Sequence, residues 1–236
     1  MRYSLHEAQT ELWLKRFTPT ATGFQALVDG QWGEFELEAP LLGSFNASNL
    51  LAALATVLML RVPQDAAVKA CASLVPPPGR LERFAGADGR QAVVDYAHTP
   101  DALANALAAL RPHTRGRLIC VFGCGGDRDR GKRAEMAREA EKGADLVIVT
   151  DDNPRSEAPK AIANDIIQGF SGSAHHEVLH GRAEAIAHAI GMAGPDDVVL
   201  IAGKGHEDYQ EIQGEKLRFS DAEQVHECLH QSGGVA

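Results

Sequence analysis

Asp145-Leu146-Val147-Ile148-Val149-Thr150-Asp151-Asp152-Asn153-Pro154-Arg155 decides how the C-terminal two thirds of the chain are read. Residues 145–149 form an apolar, β-branched run that predicts a buried strand of a parallel sheet. Beyond the stretch, residues 157–167 carry Ile162, Ile166 and Ile167 at helical spacing. Residues 151–155 therefore fall where a strand ends, and in open α/β sheets ligands bind at the carboxyl ends of strands. Pro154 fixes its own φ and pushes Asn153 towards extended geometry, so the loop is stiff. An amide and a guanidinium on a stiff loop can hold a carboxylate in a fixed orientation. A plain connecting loop, with Asp or Asn capping the next helix, accounts for the local pattern equally well.

The same alternation extends outward. Residues 91–95, 118–122, 146–150 and 198–202 read as strands, with 177–179 a short one. Residues 100–110, 132–142, 160–169, 182–190 and 220–230 read as helices, the first starting near His98 or Thr99 and the last capped by Ser220 or Asp221. Strands alternating with helices predict an α/β domain, a Rossmann-like, doubly wound, mostly parallel sheet. Upstream, Pro76-Pro77-Pro78-Gly79 marks the domain boundary, dividing 1–77 from 78–236. Residues 1–42 alternate as an antiparallel meander, with 23–28 and 33–37 flanking an Asp29-Gly30 hairpin signal. Residues 50–60 and 65–74 read as helices. This first part starts without the strand and phosphate loop that usually open a nucleotide domain.

Composition narrows the function. The chain has 236 residues, 44% hydrophobic and 23% charged, which is ordinary for a globular protein. A net charge of −9 leaves no basic surplus for neutralising phosphates, so a general nucleic-acid partner is not expected. Cys71, Cys120, Cys124 and Cys228 show neither metal nor disulfide spacing and read as buried free thiols. No apolar run reaches membrane-spanning length and the N-terminus lacks a signal-peptide pattern, so no membrane partner is expected and the compartment reads as the cytoplasm.

Four loops at strand ends carry candidate chemistry. Gly123 to Arg133 comes near a P-loop at Gly126 and Gly131-Lys132, but Arg133 stands where the Mg²⁺-holding hydroxyl belongs, so a Walker motif is rejected. The glycines also lack dinucleotide spacing. Gly203-Lys204-Gly205-His206-Glu207-Asp208 permits close backbone approach, and Glu207 can pair with an ammonium group. His206-Glu207 is no zinc-protease motif, since Gln210 replaces the second histidine. Arg128, Asn153, Arg155 and Glu207 together could grip a zwitterion, guanidinium on carboxylate and carboxylate on amine; surface salt bridges around a sheet edge are the alternative. In Asp95-Tyr96-Ala97-His98-Thr99-Pro100-Asp101, Asp95 could accept from ribose hydroxyls and Tyr96 or His98 could pack on a base, or His98 and Asp101 could serve only the helix end. Asn46 and Asn49, three apart in Gly43-Ser44-Phe45-Asn46-Ala47-Ser48-Asn49, could read a purine edge, or Ser44 or Asn46 could cap a helix.

Gly43 to Asn49, Gly79-Arg80-Leu81-Glu82, Asp95 to Asp101, Gly123 to Lys132, Asp152 to Arg155 and Gly203 to Asp208 occur in the order found in the Mur ligases, and the chain resembles the C-terminal portion of that family. Asp152-Asn153-Pro154-Arg155 is similar to the signature of members that choose meso-diaminopimelate; a distal carboxylate calls for a guanidinium, and lysine would leave it unpaired. The resemblance implies an ATP-dependent amide ligase of peptidoglycan precursor synthesis. In it a carboxylate of the UDP-N-acetylmuramoyl dipeptide is activated as an acyl phosphate, and the amine of diaminopimelate attacks it. It also implies that Arg128, Asp152, Asn153, Pro154, Arg155, Gly203 and Glu207 bind meso-diaminopimelate. Asn46, Asn49, Arg80, Asp95, Tyr96 and His98 would lie on the ATP side.

Residues 1–77 resemble the closing part of the family's central ATP-binding domain, a partial α/β remnant of meander and helices. Residues 78–236 resemble its amino-acid-binding C-terminal domain, with the Pro76 to Gly79 stretch as hinge. No P-loop occurs in the chain, and by resemblance the catalytic groups and the Mg²⁺ ligands belong to the missing segment, so the 236 residues alone are expected not to catalyse ligation. A non-catalytic amino-acid-binding module and a folylpolyglutamate-synthetase-like ligase remain as other readings. A nicotinamide oxidoreductase has fold class alone behind it.

Overall fold

The computed structural model describes residues 2–8, 10–172 and 174–231. The chain divides into two compact units, Met1–Pro76 and Pro77–Ala236, parting within the proline run.

In the first unit the alternating pattern becomes a four-stranded sheet: β1 (Tyr3–Ser4), β2 (Leu12–Thr20), β3 (Gly23–Gly30) and β4 (Phe35–Ala39), in that spatial order. β1 runs parallel to β2 and the other pairs are antiparallel. Side chains two apart share a face, so Phe24, Ala26 and Val28 of β3 point inward together with Leu12, Leu14 and Leu37. Against them pack Leu50, Leu51, Leu54 and Leu58 of α1 (Ser44–Met59) and Ala67 and Cys71 of α2 (Gln64–Cys71). α1 begins six residues earlier than its leucine pattern predicts, at a Gly43 that offers no side-chain cap. Arg61 in the left-handed region (φ 63°) and Pro63 then turn the chain away from α1.

The second unit holds β5 (Glu82–Ala85), β6 (Gln91–Asp95), α3 (Pro100–Leu110), β7 (Leu118–Phe122), α4 (Gly131–Gly143), β8 (Leu146–Val149), α5 (Pro159–Ile167), β9 (His175–Val178), α6 (Arg182–Met192), β10 (Val198–Ala202), the hairpin β11 (Tyr209–Ile212) and β12 (Glu215–Arg218), and α7 (Asp221–Gln231). Six strands form one sheet in the order β5-β6-β10-β7-β8-β9, all parallel except β5. The parallel strands read as continuous apolar runs because both faces are covered. Ala92, Val94, Ile119, Val121, Val199 and Ile201 meet Ile186 and Ile190 of α6 and Val225 and Leu229 of α7. Their neighbours in each strand point to the opposite face, where α3 packs on β10 and α4 on β8. This is the doubly wound, Rossmann-like arrangement expected from the alternation. β5 and the β11–β12 hairpin are additions that the sequence reading did not include. No helix among the described residues is long and apolar enough to cross a membrane.

Register brings the site together. Asp95 lies beside Ala202, Ala202 beside Phe122, Phe122 beside Val149 and Val149 beside Val178. The loops that leave these five residues therefore start from one line across the sheet. The cap at α3 shows how such a loop is held: Thr99 Oγ1 accepts from Ala102 N and Pro100 takes the first helical position.

Candidate functional site

Asn153, which follows β8, is buried, and its side chain makes three hydrogen bonds. Its Oδ1 accepts from Lys204 Nζ at 3.0 Å and from Glu211 N at 2.9 Å, and its Nδ2 donates to Glu207 Oε2 at 3.0 Å. Lys204 Nζ also donates to Glu207 Oε2 at 3.1 Å. The loop after β8, the loop after β10 and strand β11 are thus knotted at one amide. Gly203 (φ 122°) allows the approach, because a Cβ there would stand 2.7 Å from Asp152 Oδ2.

Arg155 adopts a left-handed backbone (φ 53°), so its side chain leaves the loop in a direction an extended residue would not give. The hairpin holds it there. Arg155 N donates to Glu211 O at 2.9 Å, Gln213 N donates to Arg155 O at 2.8 Å, and Arg155 Nε donates to Glu211 Oε2 at 3.0 Å. Its Nη1 donates to Gly126 O at 2.9 Å, which ties in the loop after β7. Arg128 of that loop is exposed and bonds only to the carbonyl of Asp127 (3.2 Å) among the described residues. Asp152 is buried, and burial pushes its carboxyl above the usual carboxylate range against the pull of Arg182 and Lys204.

The loop after β7 is clamped from behind. Arg133 of α4, fully buried, makes a bidentate pair with Glu157 at 3.0 and 2.8 Å, and reaches Asp165 at 2.8 Å. Glu157 also accepts from Asp127 N at 2.7 Å. The Arg133 hydrogen bonds, seconded by that backbone N–H, hold the Glu157 carboxyl down at about 2. An unfolded glutamate titrates at 4.5, so the stabilisation is complete above 4.5 and is lost as pH falls towards 2. Glu157→Gln is therefore expected to lower the urea midpoint at pH 7, and the gap from wild type to close across that window. A gap that persists unchanged at pH 2.5 would contradict the linkage.

On the other side of β10, Tyr96 gathers three neighbours. Its ring lies 4.6 Å from that of His98 and 5.4 Å from that of His206, and Arg80 Cζ sits 4.9 Å over it. Asp95 is turned inward: its oxygens accept from Leu81 N at 2.8 Å and Ala97 N at 2.9 Å, and burial raises its carboxyl against these bonds and the Arg80 charge. Close packing of Gly79 on the Gly205-His206 backbone sets Arg80 here, since a Cβ on Gly79 (φ 66°) would meet His206 N at 2.2 Å. Asn46 and Asn49 stand on the first turns of α1 in the other unit. Asn46 Nδ2 donates to Leu42 O at 2.8 Å, and Asn49 Nδ2 to Asn46 Oδ1 at 3.4 Å.

The structure thus joins Asp152, Asn153, Pro154, Arg155, Gly203 and Glu207 at one place, and Arg80, Asp95, Tyr96 and His98 at another. Asn46 and Asn49 belong to the first unit. Sequence reasoning missed Lys204, Glu211, and the pair Arg182–Asp221. Lys204 had a visible signal, being the one cation in a glycine-rich turn directly after a fully apolar strand. Cys120 and Cys124 are buried thiols pushed up to about 12 by burial, which makes them poor nucleophiles.

Two family descriptions match the chain: "Mur ligase, glutamate ligase domain" over residues 79–205, and "Mur ligase middle domain" over residues 1–57. The chain is similar to proteins named UDP-N-acetylmuramoyl-L-alanyl-D-glutamate--2,6-diaminopimelate ligase. That of Pseudomonas putida is 50% identical over 229 residues, covering 97% of this chain and 46% of its own length. That of Pseudomonas aeruginosa is 51% identical over 227 residues, covering 96% and 47%. A solved structure of the same name aligns with a TM-score of 0.80 at 42% identity, over 99% of this chain and 48% of that one. The chain spans about half the length of the curated relatives it matches. A folylpolyglutamate synthase from Thermotoga maritima, with a TM-score of 0.65 at 21% identity over 82% of this chain and 44% of its own, shares the fold alone.

Proposed function

The chain belongs to the Mur ligase family, and on that premise we propose that it carries the amino-acid pocket, and part of the ATP site, of the ligase that adds meso-diaminopimelate to a UDP-N-acetylmuramoyl dipeptide. The observation that carries this reading is the junction of Asn153, Glu207 and Arg155. A carboxamide and a guanidinium suit a carboxylate, and a glutamate suits an ammonium group. Arg128, exposed on the adjoining loop, offers a second guanidinium for a ligand that has two carboxylates. Asp152 serves from beneath, a buried carboxyl that accounts for the glycine at 203.

On this reading residues 1–77 are the closing part of the central ATP-binding domain and 78–236 the amino-acid-binding domain. ATP, when bound, supplies the activation of the dipeptide carboxylate. Arg80 and the Tyr96 and His98 rings of the second unit are the cationic donor and stacking faces that suit an adenine nucleotide, Asp95 holds the backbone of their loops, and the carboxamides of Asn46 and Asn49 are donors and acceptors on the first unit. Among the described residues no group of three or more His, Cys, Asp or Glu is placed to hold a metal ion. The role of these residues is to bind the amino acid and to orient its nucleophilic amine. Such substrates assign the activity to the cytoplasm and to peptidoglycan precursor synthesis.

Calorimetric titration of the chain tests the proposal, with L-lysine and L-glutamate as controls. Meso-diaminopimelate is expected to bind at least about tenfold more tightly than either, because L-lysine lacks the distal carboxylate and L-glutamate the distal amine. Equal affinity for L-lysine would remove diaminopimelate as the ligand, and equal affinity for L-glutamate would favour a different ligase specificity.

A further inference from the structure

We infer that Lys204 is a positioning residue: its ammonium group, enclosed between Asn153 and Glu207, decides which way the Asn153 amide faces and which Glu207 oxygen is left for a ligand. The choice of ligand rests on the reading of the site as an amino-acid pocket, whereas the positioning itself rests on geometry alone.

Lys204 is fully buried. An ammonium group out of water must be surrounded by acceptors, or its loss of hydration is uncompensated. Here Nζ donates to Asn153 Oδ1 at 3.0 Å and Glu207 Oε2 at 3.1 Å, and lies 5.4 Å from the centre of the Tyr209 ring. Its directions are taken up by the protein, so it serves other residues more readily than a ligand.

The consequence for Asn153 is directional. Two donors, Lys204 Nζ and Glu211 N, converge on Oδ1. Turned over, the amide would set its own NH₂ against an ammonium group and a backbone N–H, and would face Glu207 with an oxygen. The amide therefore stays with Nδ2 towards Glu207, and one Nδ2 hydrogen has no acceptor among the described residues. Glu207 is ordered in the same way. Its Oε2 takes both Lys204 and Asn153, and its Oε1 receives no donor among the described residues. Lys204 thus leaves an unused donor on Asn153 and an unused acceptor on Glu207. That pair fits a zwitterionic amino-acid head in one orientation, carboxylate on Asn153 and ammonium on Glu207.

The test follows the side-chain amide signals of Asn153 by NMR in the ¹⁵N-labelled chain, in wild type and Lys204→Met, together with titration of meso-diaminopimelate. We expect both Asn153 side-chain signals to shift in the variant while those of Asn164 on α5 and the backbone signal of Val199 stay in place. We expect meso-diaminopimelate to bind at least about tenfold more weakly, the loss of one charge-assisted contact on each recognising group. Unchanged Asn153 signals would overturn the inference whatever the affinity does. Shifted signals, in a chain whose wild type binds no meso-diaminopimelate, would uphold the positioning and overturn the ligand reading. Should Lys204→Met not fold, Lys204→Arg, which keeps the charge and cannot place it at the same point, reads the same signals.

Discussion

Arg182→Met is expected to lower the unfolding free energy of the second unit by about 3–5 kcal/mol. Arg182 opens α6 and Asp221 opens α7, and neither side chain has any exposed surface. The two meet as a fork, Nε to Oδ1 at 2.6 Å and Nη2 to Oδ2 at 2.7 Å, while Nη2 also reaches Ala202 O at the end of β10. Methionine fills much of the same volume but strands the Asp221 carboxylate in a dry interior, and that uncompensated charge is the main cost. The double variant Arg182→Met, Asp221→Leu removes both charges and is expected to recover most of the loss, since two apolar groups need no desolvation balance. Urea unfolding followed by circular dichroism measures both. A single variant within about 1 kcal/mol of wild type would show that water reaches the pair.

The largest functional effect is expected at Arg155. If the pocket holds meso-diaminopimelate, Arg155→Ala removes the guanidinium meant for its distal carboxylate, and affinity should fall about 100-fold, as one charged hydrogen-bonded contact is worth. L-Lysine, with no carboxylate there, should lose little, so discrimination between the two ligands should nearly vanish. Arg155→Lys keeps the charge but not the fork, and should recover only part. The Glu211 and Gly126 contacts are lost as well, so calorimetry needs a stability measurement beside it. Undiminished discrimination in Arg155→Ala would assign the choice of ligand to another residue, with Arg128 the first to examine.

The sheet was legible where apolar runs are continuous. The ranges expected for β6, α3, β7 and β10 coincide with those observed: β7 and β10 are apolar and buried from end to end, β6 is an apolar run bounded by Gln91 and Asp95, and α3 starts at the Thr99-Pro100 cap. The β11–β12 hairpin was not legible. Glu215-Lys216-Leu217-Arg218 is exposed throughout, and a strand held only by its partner has no periodicity to show. That omission concealed Glu211, which orients both Asn153 and Arg155. The left-handed turn at Arg155 was equally hidden, since the contacts that offset its strain come from the same hairpin. Asp95 was expected to face a ribose, whereas its two oxygens are occupied by backbone donors at Leu81 and Ala97. Loop position was therefore readable from strand ends. The direction of each side chain depended on partners far along the chain.

β10 lies between β6 and β7, although it is made long after both. On the ribosome the strands at 91–95 and 118–122 emerge with no neighbour between them, and helix α3 spans a gap that only residues 198–202 can fill. Pairings so distant in sequence form slowly, because the intervening chain must be gathered first. A nascent chain paused before residue 198 would carry the unpaired edges of β6 and β7, the kind of surface that other chains add to. Closure of the sheet is thus a late event in synthesis. The loops on either side of β10 come into line in that same step.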